Sequence, residues 1–372
     1  MGNPLTAHPE LRIGLVGAGK ISNAYLTTLP RLNNLRLTAV ADLDTERAAT
    51  AAGTVPGARA TTLAGLYEAE DVDLVLNLTI PAAHAEVAHA AIDAGKHVYG
   101  EKPLATTTSE ARTLLDAAAG AGVRVGCAPD TVLGTGVQSA RAALDAGDIG
   151  IPVAATAFMV SAGPERWHPD PEFYYRPGGG PLLDMGPYYL TALVTLLGPV
   201  RRVVGMASTF RTSRTIGKGP RAGTEFPVEV ATHVVGVLEH HSGALSTLMM
   251  SFEVWAGALP RIEVYGTDGS LSVPDPNRFD GPVRLFRADT QEWEQLPVRG
   301  GYQDASRGYG VADLARAVAR GGPHRADGEL AYHVLDVMES MLTAAGSGRS
   351  VQVGSSCDRP TAVPADARPE EH

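Results

Sequence analysis

The chain has 372 residues, too many for one typical hydrophobic core and suited to two domains. Its formal net charge of −10, with 44% hydrophobic and 19% charged residues, marks a globular protein and argues against nucleic acid or an anionic membrane surface as partner. Two cysteines, Cys127 and Cys357, cannot build a disulfide framework or a cysteine metal cluster, and no metal site is expected.

The opening MGNPLTAHPE lacks the basic and apolar regions of a secretory signal, and the longest apolar stretch, around YYLTALVTLLG, is too short to cross a bilayer. A cytoplasmic location is the expectation. From residue 11 onward, RIGLVG, LRLTAVAD, VDLVLNLT, HVYG and VRVGCA are short apolar runs of the kind that form strands buried on both faces. Ala-rich segments with helical spacing separate them, so the pattern predicts βαβ units and a doubly wound parallel sheet. Thr108-Ser109 suits a helix start and Gly120 or Gly122 its stop.

Gly17 and Gly19 follow the first run directly, where a helix opens. The tight turn needs the first glycine, and the second lets backbone approach a pyrophosphate; Ser22 fills the third glycine position with another small residue. Asp42 ends the second strand, where a carboxylate accepts bonds from ribose hydroxyls and repels a 2′-phosphate. NAD is therefore expected in preference to NADP. Asp44 is better placed than Asp42 to cap the following helix.

At VYGEKPLA the fourth of these runs leads into Glu101, Lys102 and Pro103 side by side. Only four of the 31 basic residues (Lys20, Lys96, Lys102, Lys218) are lysine. A lysine just past a strand end points to an amine that titrates, which a guanidinium does not. Partial burial there favours the neutral amine, suited to proton traffic with a hydroxyl.

From about residue 150 the runs lengthen and alternate: PVAATAFMV, RRVVGMASTFRT, VEVATHVVGVLEH, ALSTLMMSFEVWA, RIEVYGT and GSLSVP. They predict a large, open, mainly antiparallel sheet with one buried face. VADLARAVAR and ELAYHVLDVMESMLTAA read as helices. The reading divides the chain into a Rossmann domain (1–128), a substrate and oligomerisation domain (129–355), and a disordered tail (356–372), the last because it is Pro-rich, charged and aperiodic. His240-His241, before a Ser-Gly turn, are expected to face solvent. The segment SAGPERWHPDPEFYYRPGGGP is a long loop with Trp167, Phe173, Tyr174 and Tyr175, and loops of this kind are functional when ordered.

These motifs resemble the glucose–fructose oxidoreductase/inositol dehydrogenase/rhizopine-catabolism (Gfo/Idh/MocA) oxidoreductases up to about residue 353. GLVGAGKI and AVADLD resemble the family's cofactor segments, NLTIPAAHAEVAHAAIDAGKHVYGEKPLA its TP-x-x-H and EKP segments, and GGGPLLDMGPYYLTALVTLLG the helix bearing its second catalytic motif. The resemblance implies cofactor contacts from Gly17, Gly19, Lys20, Ile21, Asp42, Thr79, Pro81, His84, Glu101 and Lys102. It also implies catalytic roles for Lys102 and Asp184, with Tyr188 standing where the family has histidine.

Asp184 and Tyr188 are spaced i, i+4 and share a helix face. A phenol is a poor base alone, but an adjacent ammonium favours its phenolate, so Tyr188 is a candidate proton-transfer group and His168 its rival. Asp130, Trp167, His168 and Arg176 are candidate substrate contacts, because sugar faces stack on aromatics while charged groups bind hydroxyls. The expected activity is hydride transfer between nicotinamide and a secondary alcohol or ketone of a sugar, glycoside or cyclitol, in a homodimer or homotetramer. A sugar lyase or glycosidase working by transient oxidation, and an NAD(H)-binding regulatory protein, are the alternatives.

Overall fold

The computed structural model describes residues 10–369. The chain forms two compact units, each assembled from separate stretches of sequence. Among the described residues, the first comprises 10–133, 302–331 and 366–369, and the second 134–301 and 332–365. In the described residues of the first unit, β1 (Leu11–Val16), β2 (Leu35–Ala41), β3 (Arg59–Ala60), β4 (Leu74–Asn77), β5 (His97–Gly100) and β6 (Val125–Cys127) pair in parallel in the order β3-β2-β1-β4-β5-β6. Ile13, Leu15, Ala39, Val40, Leu74, Val75 and Leu76 are fully buried, which explains the unbroken apolar runs.

Helices α1 (Ser22–Thr28), α2 (Thr45–Ala52), α3 (Leu63–Glu68), α4 (His84–Asp93) and α5 (Thr108–Ala121) connect these strands. Asp44 caps α2 through the Glu46 and Arg47 amides, as its position suggested. The cap of α5 is Thr107, one residue before the expected start, and Gly122 ends that helix at φ 68°.

In the second unit α6 (Thr135–Asp145) and α7 (Pro181–Leu197) pack on one face of a sheet built from β7 (Pro152–Val160), β8 (Val200–Ser208), β11 (His233–His240), β12 (Leu245–Ser251), β13 (Ile262–Gly266), β14 (Gly269–Val273), β15 (Arg284–Arg287), β16 (Trp293–Gln295) and β17 (Val351–Gln352). Their order is β16-β15-β14-β13-β7-β12-β11-β8-β17, and every neighbouring pair except β7–β12 is antiparallel. β9 (Ser213–Thr215) and β10 (Glu225–Pro227) form a separate hairpin. Ala155, Ala157, Val203, Leu238, Leu248 and Met250 face the helices, whereas Val204, Met206, Val237 and Leu245 on the opposite face are exposed.

The structure corrects three expectations. The Rossmann unit extends to Leu133 and takes back residues 302–331, which carry α8 (Tyr309–Arg320). The open edge of β6 explains this, since the Cys127 amide donates to Ala326 O and Gly126 bridges to Asp327.

The expected disordered tail is ordered in its described part, residues 356–369. Val363 is buried, donates to Gln138 Oε1 at 2.9 Å, and accepts from the Gly301 amide at 2.8 Å; Arg359 donates to Thr195 O at 2.7 Å. Composition misled because an extended, Pro-rich strand still satisfies its backbone when a groove supplies donors and acceptors.

His240 faces the core rather than solvent, held between Gly198 O (2.7 Å) and Ser246 Oγ (2.8 Å), whereas His241 is exposed. Burial lowers the pKa of His240, and pushes those of His324 and His333 down to about 4.

A neutral folded imidazole competes with an unfolded one that protonates at 6.5. Stability is therefore full above pH ~6.5 and declines as pH falls toward 4, by up to about 3 kcal/mol for each of His324 and His333. Urea denaturation across pH 4–8 checks this, and a flat profile from pH 7 to 4.5 contradicts it.

Candidate active site

In an open parallel sheet, ligands bind beyond the carboxyl ends of the strands where the strand order reverses. Here that point lies between β1 and β4. Gly17, just past β1, has φ 95°, and a Cβ there would come within 2.8 Å of the Leu78 carbonyl carbon and oxygen. The steric demand for glycine comes from the approach of the two strand ends, sealed by Leu78 N–H donating to Val16 O at 2.8 Å. At Gly19 the case is reversed: no protein atom lies within 4 Å of a Cβ position. The chain leaves open space where a pyrophosphate would approach the backbone. Ser22, at the third position, is buried and donates to Gly19 O at 2.7 Å. Lys20 is exposed and Ile21 half-buried at the entry to α1.

Asp42 lies directly after β2, at the position expected of the ribose-binding acid. One carboxylate oxygen accepts the Ala18 amide (2.7 Å) and the other the Asp44 amide (2.8 Å), so the acid braces the glycine turn and keeps lone pairs for ribose hydroxyls. These features suit a bound NAD: a clear backbone at Gly19, an acid at Asp42, and a turn too tight for any side chain at Gly17.

A buried hydrogen-bond frame ties the end of β4 to the end of β5. Asn77 donates to His84 O (3.0 Å) and accepts from Thr79 Oγ1 (2.6 Å), and its own carbonyl accepts the Glu101 amide (3.0 Å). The His84 ring lies between Pro103 O (2.6 Å) and Thr79 O (3.0 Å). Burial holds its pKa down, and a neutral ring has one N–H to share between those carbonyls. His84 thus links the loop through Pro81, itself exposed, to the loop that carries Lys102.

Glu101 is buried; one oxygen accepts from Tyr25 Oη at 2.9 Å and the other from the Lys102 amide at 3.2 Å. Lys102 itself is half-buried. Tyr25 and Asn77 escaped the sequence reading. Asn77 carries a faint signal, a polar residue closing an apolar strand, whereas nothing local marks Tyr25.

Asp130 requires a correction. It is fully buried, and its Oδ2 accepts the Gly308 (2.9 Å) and Gly310 (3.0 Å) amides at the start of α8. Burial raises its pKa. It anchors a returning segment of chain and is not exposed to a substrate.

In the second unit, α7 carries Asp184 in its first turn and Tyr188 one turn later. The N-cap is Gly180, so capping does not account for Asp184. Asp184 is half-buried and Tyr188 buried. Trp167, His168, Phe173 and Tyr174 form a cluster of edge-on and tilted rings with centroids 4.0–6.4 Å apart. Trp167 and Arg176 are exposed, and His168 Nδ1 accepts the Asp170 amide at 3.1 Å. Among the described residues, no group of three or more His, Cys, Asp or Glu side chains is placed to hold a metal ion.

Residues 11–128 match the oxidoreductase family with an NAD-binding Rossmann fold, and residues 137–272 match the GFO/IDH/MocA C-terminal domain. The chain belongs to the GFO/IDH/MocA oxidoreductase family. Within it, inositol 2-dehydrogenase 3 of Saccharopolyspora erythraea is 29% identical over 94% of this chain and 97% of its own. The dTDP-3,4-didehydro-2,6-dideoxy-alpha-D-glucose 3-reductase of Streptomyces violaceoruber is 31% identical over 84% of this chain and 86% of its own. A solved NAD binding oxidoreductase from Klebsiella pneumoniae matches with a TM-score of 0.79 at 26% identity, covering 92% of this chain and 99% of that one. The GFO/IDH/MocA chain described here is thus an NAD-dependent oxidoreductase, and no helix among its described residues is long and apolar enough to cross a membrane.

The two glycines predict opposite phenotypes. Gly17→Ala strains a positive φ against the Leu78 carbonyl and lowers Tm by several degrees, with NADH affinity lost alongside. Gly19→Ala meets no protein atom, so Tm holds while NADH affinity, read by nicotinamide fluorescence, falls about tenfold or more. Unchanged affinity in Gly19→Ala would remove the pyrophosphate from this turn.

Proposed function

We propose that this NAD-dependent oxidoreductase acts on a secondary alcohol or ketone of a sugar, glycoside or cyclitol, with Lys102 at the reacting oxygen. The observation that carries the reading is Lys102 itself: a half-buried amine just past β5, its own amide fixed by buried Glu101. The relatives named as an inositol dehydrogenase and a hexose 3-reductase support the substrate class.

NAD, when bound, supplies the acceptor or donor of the hydride. Loss of hydride from a carbinol carbon requires the hydroxyl proton to leave as well, so a protein group must hydrogen-bond that oxygen. In this proposal the Lys102 amine orients the oxygen and stabilises negative charge on it. Tyr188 is proposed to take or return the proton, with Asp184 one helical turn earlier on the same face. Lys20, Ile21, Thr79 and Pro81 are proposed to line the cofactor. Trp167, His168 and Arg176 are proposed to wall the sugar, the rings stacking on its apolar faces.

Turnover across a panel of sugars, cyclitols and glycosides, followed by the absorbance of reduced nicotinamide with NAD and with NADP, tests the reading. Lys102→Ala and Tyr188→Phe are each expected to lower kcat by about 100-fold or more, with NADH affinity held within about threefold in Tyr188→Phe. A Tyr188→Phe enzyme with full turnover ends the role of that phenol and leaves His168 as the proton carrier.

The exposed sheet face with Val204, Met206, Val237 and Leu245 supports a homodimer or homotetramer, since a second copy would cover this apolar surface. Cys127 and Cys357 lie in no disulfide, which fits the reducing cytoplasm. Met206, 75% exposed, is the probe: Met206→Glu is expected to shift the mass by light scattering to the monomer without lowering the helix content. A wild-type chain that is already monomeric refutes the assembly.

A further inference from the structure

The segment Arg211–Arg221, RTSRTIGKGPR, carries four cations and no carboxylate in a chain of net charge −10. It includes β9 and the turn that follows, and with Glu165 and Arg166 it walls a cavity of about 360 Å³. Arg166, Arg211 and Arg214 line that cavity together with Ser213, Thr215 and Gly217.

Arg214 is held rigidly. Its side chain is 2% exposed; Nη1 donates to Glu165 Oε1 at 2.7 Å and Nη2 to Glu253 Oε1 at 2.6 Å. Phe252 O accepts from Nη2 as well, and the other Glu165 oxygen accepts from Tyr175 Oη. Its Nε is buried and finds no acceptor among the described residues, an N–H left over after both carboxylates are placed. Thr232 Oγ1 further occupies Glu253 at 2.6 Å, and Glu225 accepts from Ser213 Oγ. The neighbouring acids are therefore already engaged.

Arg166 and Arg211 have no ion-pair partner among the described residues, and the Arg166 guanidinium lies 4.2 Å over the Trp255 ring. The Gly217 amide donates to Glu165 O at 2.8 Å and locks the two walls together. A preorganised site with three guanidinium groups and a surplus buried N–H matches a planar or tetrahedral oxyanion.

We propose that this cavity is an anion subsite for the carboxylate or phosphate of an acidic sugar derivative. Arg166 directly precedes Trp167 in the aromatic loop, so an acidic group held by the arginines would lie beside the surface proposed to wall the sugar ring. The substrate would then be a uronate or sugar phosphate rather than a neutral polyol. This inference rests on the sugar-oxidoreductase reading.

Isothermal titration of the full chain with NADH present tests it, using glucuronate, glucose 6-phosphate, inorganic phosphate and glucose as probes. At least one of the three anions is expected to bind, and to bind about tenfold more weakly in Arg211→Gln and in Arg166→Gln. Arg36→Gln, an exposed cation in the other unit, sets the baseline for general charge loss. Tighter binding of an acidic sugar than of phosphate identifies the sugar as the source, and equal binding a free anion; both support the subsite. No anion binding, or binding equally strong in all the variants, overturns it. Buried Arg214 is left intact so that folding is not at issue. NADH titration and turnover of the acidic sugars are read separately, so the loss of both counts against the oxidoreductase reading and not against the anion site.

Discussion

A carboxylate buried beside the nucleotide turn cannot be left without donors, because an uncompensated buried charge costs several kcal/mol. Glu101 meets that requirement with Tyr25 from α1 and with the amide of Lys102. The helix that opens the dinucleotide site and the loop that carries the lysine are thereby held to one carboxylate. The amide of Glu101 is in turn bonded to Asn77 O, and His84 spans the Thr79 and Pro103 carbonyls. The ends of β4 and β5 and the helix α1 are thus fixed by buried hydrogen bonds, which is the supporting shell a positioned amine needs.

The second unit solves a related problem with different parts. Its aromatic loop has only two short 3-10 turns, Pro164–Arg166 and Glu172–Tyr175, yet it is ordered because Tyr175 and Glu165 are buried against Arg214, and the Glu229 amide donates to Tyr175 O at 2.8 Å. A guanidinium shared by two acids is specific in direction as well as in charge, so it sets the loop's position where apolar contacts alone would let it slide. The sheet beneath is covered by helices on one face only. Alternation along β7, β8 and β12 sends small or aliphatic residues inward and leaves an apolar outer surface, a pattern a strand cannot avoid once its register is set.

Much of the parallel sheet was legible because its strands are buried on both faces and read as unbroken apolar runs. β3, β9, β10 and β15–β17 were not. They are two to four residues long, too short for alternation to register, and they exist because a neighbouring strand offers an edge. The nucleotide turn was legible for a steric reason: Gly17 has no room for a Cβ. Asp130 was misassigned because its position after the last parallel strand suggested a cleft, whereas its partners arrive 178 and 180 residues later in the chain. The tail was misjudged on composition for the same reason, its acceptor on Gln138 lying 225 residues away.

By itself the sequence determined what short-range sterics and periodicity control: the βαβ order, the glycine turn, the acid closing β2, the lysine past β5 and the i, i+4 pair on α7. Only the tertiary structure decided which polar groups are buried and with whom. Burial of Glu101 under Tyr25, of Arg214 between two acids, and of His240 in the core depends on segments that meet late, and a side chain's charge state and availability follow from those meetings rather than from its neighbours in the chain.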